Sequence, residues 1–189
     1  ECIEIIGFFP FMSDAFTAPN PVSAAPGAAG ELPVLVIISN GGSTQNKQAP
    51  DWTAPLLANE PHVHVLRAHN PTEMALALRQ AAALKAAILA VNGGDGTVDM
   101  VFAALLNDRP FTTPPLIALL PAGKTNMTAA AWCGQTNKTA ALKNLLGARR
   151  AALLKATTRP ILTLDRGDGT PALRGAFFGA ADVVDGILF

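Results

Sequence analysis

The sequence predicts an α/β fold: a Rossmann-like, mostly parallel sheet flanked by helices, followed by the start of a β-rich, sandwich-type second domain. Three observations predict it. Short apolar runs recur at 34–38, 62–68, 86–91 and 114–123, as strands buried in a parallel sheet should. Stretches with helical character separate or follow them at 70–85, 98–107, 124–132 and 137–154, giving the strand–helix alternation of a doubly wound sheet. Three polar, glycine-containing stretches then fall at the predicted carboxyl ends of strands, where such sheets bind ligands.

Taken in order, residues 1–31 are expected to form a flexible leader, because 13–33 is rich in Pro, Ala, Gly and Ser and follows neither apolar period. Met12 is the expected natural start, with residues 1–11 as upstream sequence; an intact mass that begins before Met12 would overturn this. The nucleotide-binding domain is expected over 32–155. Its first strand is the run "VLVII", ending in the loop "NGGSTQNKQ". The second, "HVHVLRA", leads to a helix announced by Asn70 or Thr72 as cap, with Pro71 and Glu73 in the first turn. The third, "AAILAV", ends in the glycine turn "NGGDGT", and a helix follows. The fourth, in "PPLIALLPAG", leads to a helix at "KTNMTAAAW", and "NKTAALKNLLGARRAALL" gives one more. Residues 156–189 read as the beginning of a second domain. There Asp168-Gly169 signals a hairpin, and the sequence is expected to stop inside that domain.

Composition narrows the function classes. Of 189 residues, 50% are hydrophobic and only 15% charged, with formal net charge zero. A nucleic-acid binder working through a strong basic field is not expected; small molecules, lipids and proteins remain. Cys2 and Cys133 have neither CxxC spacing nor a histidine pattern, which points to ordinary reduced thiols in a cytosolic setting. No apolar run reaches the roughly 18 residues of a spanning helix.

The glycine turn carries the chemistry. Gly93, Gly94 and Gly96 remove side chains from a strand-to-helix connection, so unpaired backbone N–H groups at a helix start can meet phosphate oxygens. Asp95 repels phosphate itself. It makes sense beside one by holding Mg²⁺ or by accepting a proton from an attacking hydroxyl, or as a local cap. Thr97 can cap the helix or donate to phosphate. In the element "LPAGKTN", Thr125 and Asn126 can bind phosphate or ribose or simply cap a helix, and Lys124 can neutralise phosphate or stand in solvent. In the first loop, Asn40, Gly41, Gly42, Ser43 and Thr44 can offer donors to a nucleotide or form a plain surface turn. Neither a Walker A motif nor a GxGxxG fingerprint is present. His62 and His64 read as a surface pair, and His69 lies toward the nucleotide side.

"VNGGDGT" followed some twenty-five residues later by "LPAGKTN" resembles the catalytic domain of the diacylglycerol kinase-like lipid kinases. GGDGT is shared with NAD kinases; Pro121, Gly123 and Asn126 favour the lipid-kinase branch, and "FFGAADVVDGI" is similar to the start of the family's second domain. The resemblance implies a two-domain, ATP-dependent enzyme that passes the γ-phosphoryl group to a lipid hydroxyl with Mg²⁺, most simply diacylglycerol to phosphatidic acid. It implies Asp95 as the catalytic acidic residue and metal contact. It places Asn40, Gly41, Gly42, Ser43, Thr44, Gly93, Gly94, Gly96, Thr97, Lys124, Thr125 and Asn126 around the nucleotide. It also implies a lipid substrate, transient contact with a membrane surface, and a cytoplasmic protein peripheral to the inner membrane, with a homodimer as a further expectation. The sequence departs from the family at Gly41, Thr44, Lys124, Met127 and Met100, where the family commonly has Pro, Gly, Thr and two acidic residues. Its further acidic residues would lie beyond Phe189. Asp182 and Asp185 are candidate acids in the second unit. The alternatives are an NAD kinase-like enzyme and an inactive nucleotide-binding fragment.

Overall fold

The computed structural model describes residues 4–7, 31–49 and 51–176. Its main sheet has six strands in the order β3-β2-β4-β5-β1-β6. These are β1 (Glu4–Gly7), β2 (Leu35–Asn40), β3 (Val63–Ala68), β4 (Ile88–Gly93), β5 (Leu116–Pro121) and β6 (Lys155–Thr158). The helices are α1 (Thr44–Gln48), α2 (Ala54–Leu57), α3 (Pro71–Ala83), α4 (Asp95–Asp108), α5 (Met127–Cys133) and α6 (Lys138–Arg150). Strands β3, β2, β4 and β5 are mutually parallel, as expected, in the registers Leu35↔Val63, Leu35↔Ile88 and Ile88↔Leu116.

Alternation along the strands divides the core between two faces. Val36, Ile38, Leu89, Val91, Ile117 and Leu119 turn to one side. They pack there with Met74, Leu78, Val98, Val101, Phe102 and Ala129 from α3, α4 and α5. Leu35, Ile37, Ile88, Ala90, Ala118 and Leu120 turn to the other, against Leu142, Leu145 and Leu146 of α6. Strands β2, β4 and β5 are buried at every position, which is why they read as continuous apolar runs rather than alternating ones. Edge strand β3 is largely exposed.

Several elements differ from the sequence expectation. Glu4–Gly7, assigned to the leader, forms β1, antiparallel to β5 and parallel to β6. The remaining leader, 8–30, and Cys2 lie outside the described residues. The loop after β2 contains α1, and α2 follows it; both are too short for a period to show. Helix α4 starts at Asp95 rather than at Val98, so the glycine turn itself opens the helix. Strand β6 crosses the expected boundary at residue 155 and joins the main sheet. Beyond it, β7 (Leu162–Leu164) and β8 (Leu173–Gly175) form an antiparallel pair, with Gly167 and Gly169 at positive φ in the connection. This fits the start of a β-rich unit. "FFGAADVVDGI", Asp182 and Asp185 lie outside the described residues.

The chain leaves β2 toward β3 on one side, then returns across β2 to β4 and β5 on the other. The winding reverses between neighbouring β2 and β4. Such a switch point opens a crevice beyond the carboxyl ends of the strands, and the glycine turn stands there.

Candidate nucleotide site

The loops after β2, β4 and β5 meet in a cavity of about 350 Å³ lined by Asn40, Gly42, Ser43, Thr44, Gly94, Gly96, Thr97, Met100 and Gly123. A larger hollow of about 850 Å³ lies at the opposite end of the strands, near Pro33, Ile88 and Leu116. It sits at their amino-terminal edge, where the expected chemistry has no counterpart, so the smaller, polar cavity is the candidate site.

Gly94 is the N-cap of α4 in extended geometry, with no side-chain cap. The amides of Thr97 and Val98 bond to Gly94 O at 2.9 and 3.1 Å. The amides of Gly94, Asp95 and Gly96 have no acceptor among the described residues, the state in which a helix start binds an anion. Gly96 is exposed, so the tip is open to solvent.

The glycines separate into two kinds. A Cβ on Gly94 would lie 2.9 Å from Gly123 Cα, and one on Gly123 would lie 2.5 Å from Gly94 Cα; the two loops pack main chain against main chain. A Cβ on Gly93 would strike the Thr97 side chain at 2.4 Å, and one on Gly41 would reach His69 Nε2 at 2.6 Å. Gly96 alone in the turn has nothing within 4 Å of a built Cβ. The fold does not require glycine there, although glycine costs about 0.8–1 kcal/mol relative to alanine in a helix.

Many of the expected contact residues are committed to the scaffold. Asn40 donates through Nδ2 to Thr97 Oγ1 at 2.8 Å and accepts from the Gly42 amide at 2.8 Å. Ser43 Oγ donates to Asn40 O. Asn126 adopts left-handed geometry, φ 55°, accepts from Gly123 N at 2.7 Å and donates to Gly123 O at 3.2 Å. Its amide therefore closes its own turn. Lys124 and Thr125 are exposed. Neither lines the cavity, nor do Gly41, Gly93, Asp95 and Asn126.

Asp95 joins two loops. Its Oδ1 accepts from Thr128 N at 2.9 Å; its Oδ2 accepts from Met127 N at 3.1 Å and Thr125 Oγ1 at 3.0 Å. It caps α5 from another helix. Partial burial pushes its carboxyl up, but the Thr128 and Met127 amides and the Thr125 hydroxyl outweigh that and hold it below the usual aspartate range. One turn along α4, burial and the charge of Asp95 push the Asp99 carboxyl up despite a hydrogen bond from the Ala176 amide. The expected nearby acid at Met100 thus has a neighbour in Asp99, which sequence reasoning passed over. Its place at i+4 from Asp95 was the available signal.

Among the described residues no group of three or more His, Cys, Asp or Glu side chains is placed to hold a metal; Asp95, whose two oxygens accept hydrogen bonds from the start of α5, is the acidic side chain of the turn itself. His62 faces Glu31 at 3.9 Å. His69 Nδ1 lies 3.0 Å from Glu73 Oε2, while Asn70 Oδ1 caps α3 by accepting from Glu73 N. Among the described residues no helix is long and apolar enough to cross a membrane.

Residues 33–156 match the diacylglycerol kinase catalytic domain family. No curated protein matches the chain. Among solved structures, the chain is similar to a diacylglycerol kinase from Bacillus anthracis str. Sterne at 24% identity and TM-score 0.50, covering 60% of this chain and 42% of that one. A second structure from the same organism, named a provisional diacylglycerol kinase, is 25% identical with TM-score 0.50, covering 60% of this chain and 41% of that one. The chain thus spans about two fifths of the structures it resembles. The fold, the switch-point cavity and the family match converge: the chain belongs to the diacylglycerol kinase catalytic domain family.

Proposed function

We propose that this chain supplies the nucleotide-binding part of an ATP-dependent lipid kinase, whose acceptor is a lipid hydroxyl and, within the family it belongs to, most directly that of diacylglycerol. The observation that carries the reading is the open start of α4. Three successive amides have no acceptor, two of them (Gly94 and Gly96) belong to residues that line a cavity, and the exposed Gly96 leaves room that no part of the fold needs. ATP, when bound, supplies the phosphoryl group to be transferred.

The residues divide the work by geometry. The Gly94, Asp95 and Gly96 amides, at the positive end of α4, hold phosphate oxygens. Thr97 accepts from Asn40, which leaves its own hydroxyl proton to donate. Ser43, Thr44 and Gly42 form the opposite wall. Asp95 anchors α5 and so orients the loop that carries Gly123 against the phosphate side. Lys124 is exposed near that loop and contributes positive charge rather than a fixed contact. Phosphoryl transfer depends on such positioning and charge placement more than on covalent chemistry. Mg²⁺, if bound with the nucleotide, would neutralise phosphate charge while taking most of its ligands from phosphate oxygens and water, and Asp95 is the residue of the turn that would offer it a carboxylate.

A second reading is favoured by the chain's span of about two fifths of the structures it resembles: it binds nucleotide but transfers nothing by itself. Radiolabelled γ-phosphate offered with diacylglycerol and with NAD in parallel, beside ATP calorimetry, separates the cases. Label in phosphatidic acid supports the lipid kinase, label in NADP points to the NAD kinase chemistry, and binding without transfer supports the second reading. Failure to bind ATP refutes all of them.

A further inference from the structure

We infer that Asn46, held by Lys138 and Trp52, is a positioning residue that fixes the first loop against the glycine turn and thereby sets nucleotide affinity; the inference rests on the nucleotide reading above. Asn46 is 2% exposed. Its Nδ2 donates to Asn40 O and to Asn92 O, both at 3.1 Å. Its Oδ1 accepts from Trp52 Nε1 at 3.2 Å and Lys138 Nζ at 3.3 Å. All the hydrogen-bonding capacity of one amide is used. The two carbonyls it bridges belong to the ends of β2 and β4, the neighbouring strands whose loops line the cavity.

Lys138 makes the arrangement unusual. It is the first residue of α6, where the helix dipole disfavours a cation, and burial pushes its ammonium down. Among the described residues it has no carboxylate partner. Instead Nζ donates to Gln45 O at 3.0 Å as well as to Asn46, and lies 4.9 Å from the Trp52 ring centroid, within cation–π reach. The segment it grips also touches the third loop: Gln45 N donates to Ala122 O at 2.9 Å and Gln45 Nε2 to Gly123 O at 3.1 Å. Lys138 is half-buried. A cation bonded only to neutral groups of one short segment orders that segment, and through it all three loops.

Trp52 reports on the same unit. The chain has two tryptophans, so Trp132→Phe leaves Trp52 as the only source of indole emission. ATP is titrated into this parent and into Lys138→Met and Asn46→Asp made in it. Emission and calorimetry are the readouts, and melting by circular dichroism is the fold control. Lys138→Met keeps the apolar stem and removes the ammonium. It is expected to fold, to bind ATP about tenfold more weakly through loss of a charge-assisted hydrogen bond, and to lose the emission change that ATP causes in the parent. Asn46→Asp turns two donors into acceptors facing carbonyls and is expected to do the same more severely. A folded Lys138→Met that binds ATP within twofold of the parent overturns the inference and leaves the nucleotide reading standing. If neither variant folds, the parent decides: no emission change at ATP saturation overturns the inference. A parent that binds no ATP overturns the nucleotide reading and this inference with it.

Discussion

Replacing Gly96 and Gly94 by alanine, one at a time, should give opposite results for stability, and the contrast tests what each glycine is for. At Gly96 nothing lies within 4 Å of the added Cβ and φ is not positive. The folded chain loses nothing, while the unfolded chain loses freedom, so Gly96→Ala should stabilise by about 0.4–1 kcal/mol. For a chain of this size that raises Tm by roughly 2 °C. At Gly94 the Cβ would sit 2.9 Å from Gly123 Cα, a main-chain atom that cannot rotate away. Forced overpacking of this kind costs about 1–3 kcal/mol, a fall in Tm of roughly 5 °C. Binding should not follow stability. The Gly96 methyl enters the space assigned to phosphate, so ATP affinity should fall about tenfold or more although the protein is more stable. Differential scanning calorimetry gives the first quantity and titration calorimetry with ATP the second. A Gly96→Ala protein that is both stabilised and unchanged in ATP affinity would refute the assignment of that space to the ligand.

Asp95→Ala should cost about 0.5–2 kcal/mol, the range for losing a helix cap, and should increase hydrogen exchange at Met127 and Thr128 before it does so elsewhere. Because the folded-state pKa of Asp95 is depressed, its contribution is present above the ordinary aspartate pKa and is lost as pH falls through the lower folded value; melting from pH 6 to pH 2 should show wild type and Asp95→Ala converging at the acid end. Arg149 is 1% exposed, donates to Pro33 O at 2.7 Å and Pro61 O at 2.8 Å, and faces Glu60 at 3.7 Å. Arg149→Ala should destabilise by roughly 3–5 kcal/mol through stranded buried partners, read by urea denaturation, with the Cm shift absent if the pair is in fact solvated.

The parts of the fold that could be read from sequence are those whose signal is local. Strands buried on both faces show as apolar runs, and β2, β4 and β5 were legible for that reason. Asn70 with Glu73 announced α3 because a cap is a short-range device. Strand β1 was not legible: Glu4–Gly7 acquires its meaning only from pairing with β5 and β6, more than a hundred residues away. At the site, the glycine turn was legible as a place and not as a set of roles. The sequence could not distinguish Gly96, which faces space, from Gly94, which faces Gly123, since that depends on where another loop passes. Asn46, Trp52 and Lys138 carried no motif, because a hydrogen-bonding node assembled from distant segments leaves no spacing to recognise.

The same geometry explains why the glycine turn and the segment 121–126 belong to one device. Gly94 and Gly123 touch through their main chains, so either loop fixes how closely the other approaches. Asp95 then reaches across to the start of α5, and Phe102 of α4 stacks on Trp132 of α5 with ring centroids 5.9 Å apart. Helices α4 and α5 are therefore tied at the site by a carboxylate and further along by an aromatic pair. A carboxylate held in this way is a poor proton acceptor, since accepting a proton would release α5. Its charge, however, stays beside the open amides of α4 whatever occupies the cavity. By fixing the start of α5, Asp95 also holds the segment that carries Gly123, whose main chain packs on Gly94 beside the cavity into which Gly96 opens.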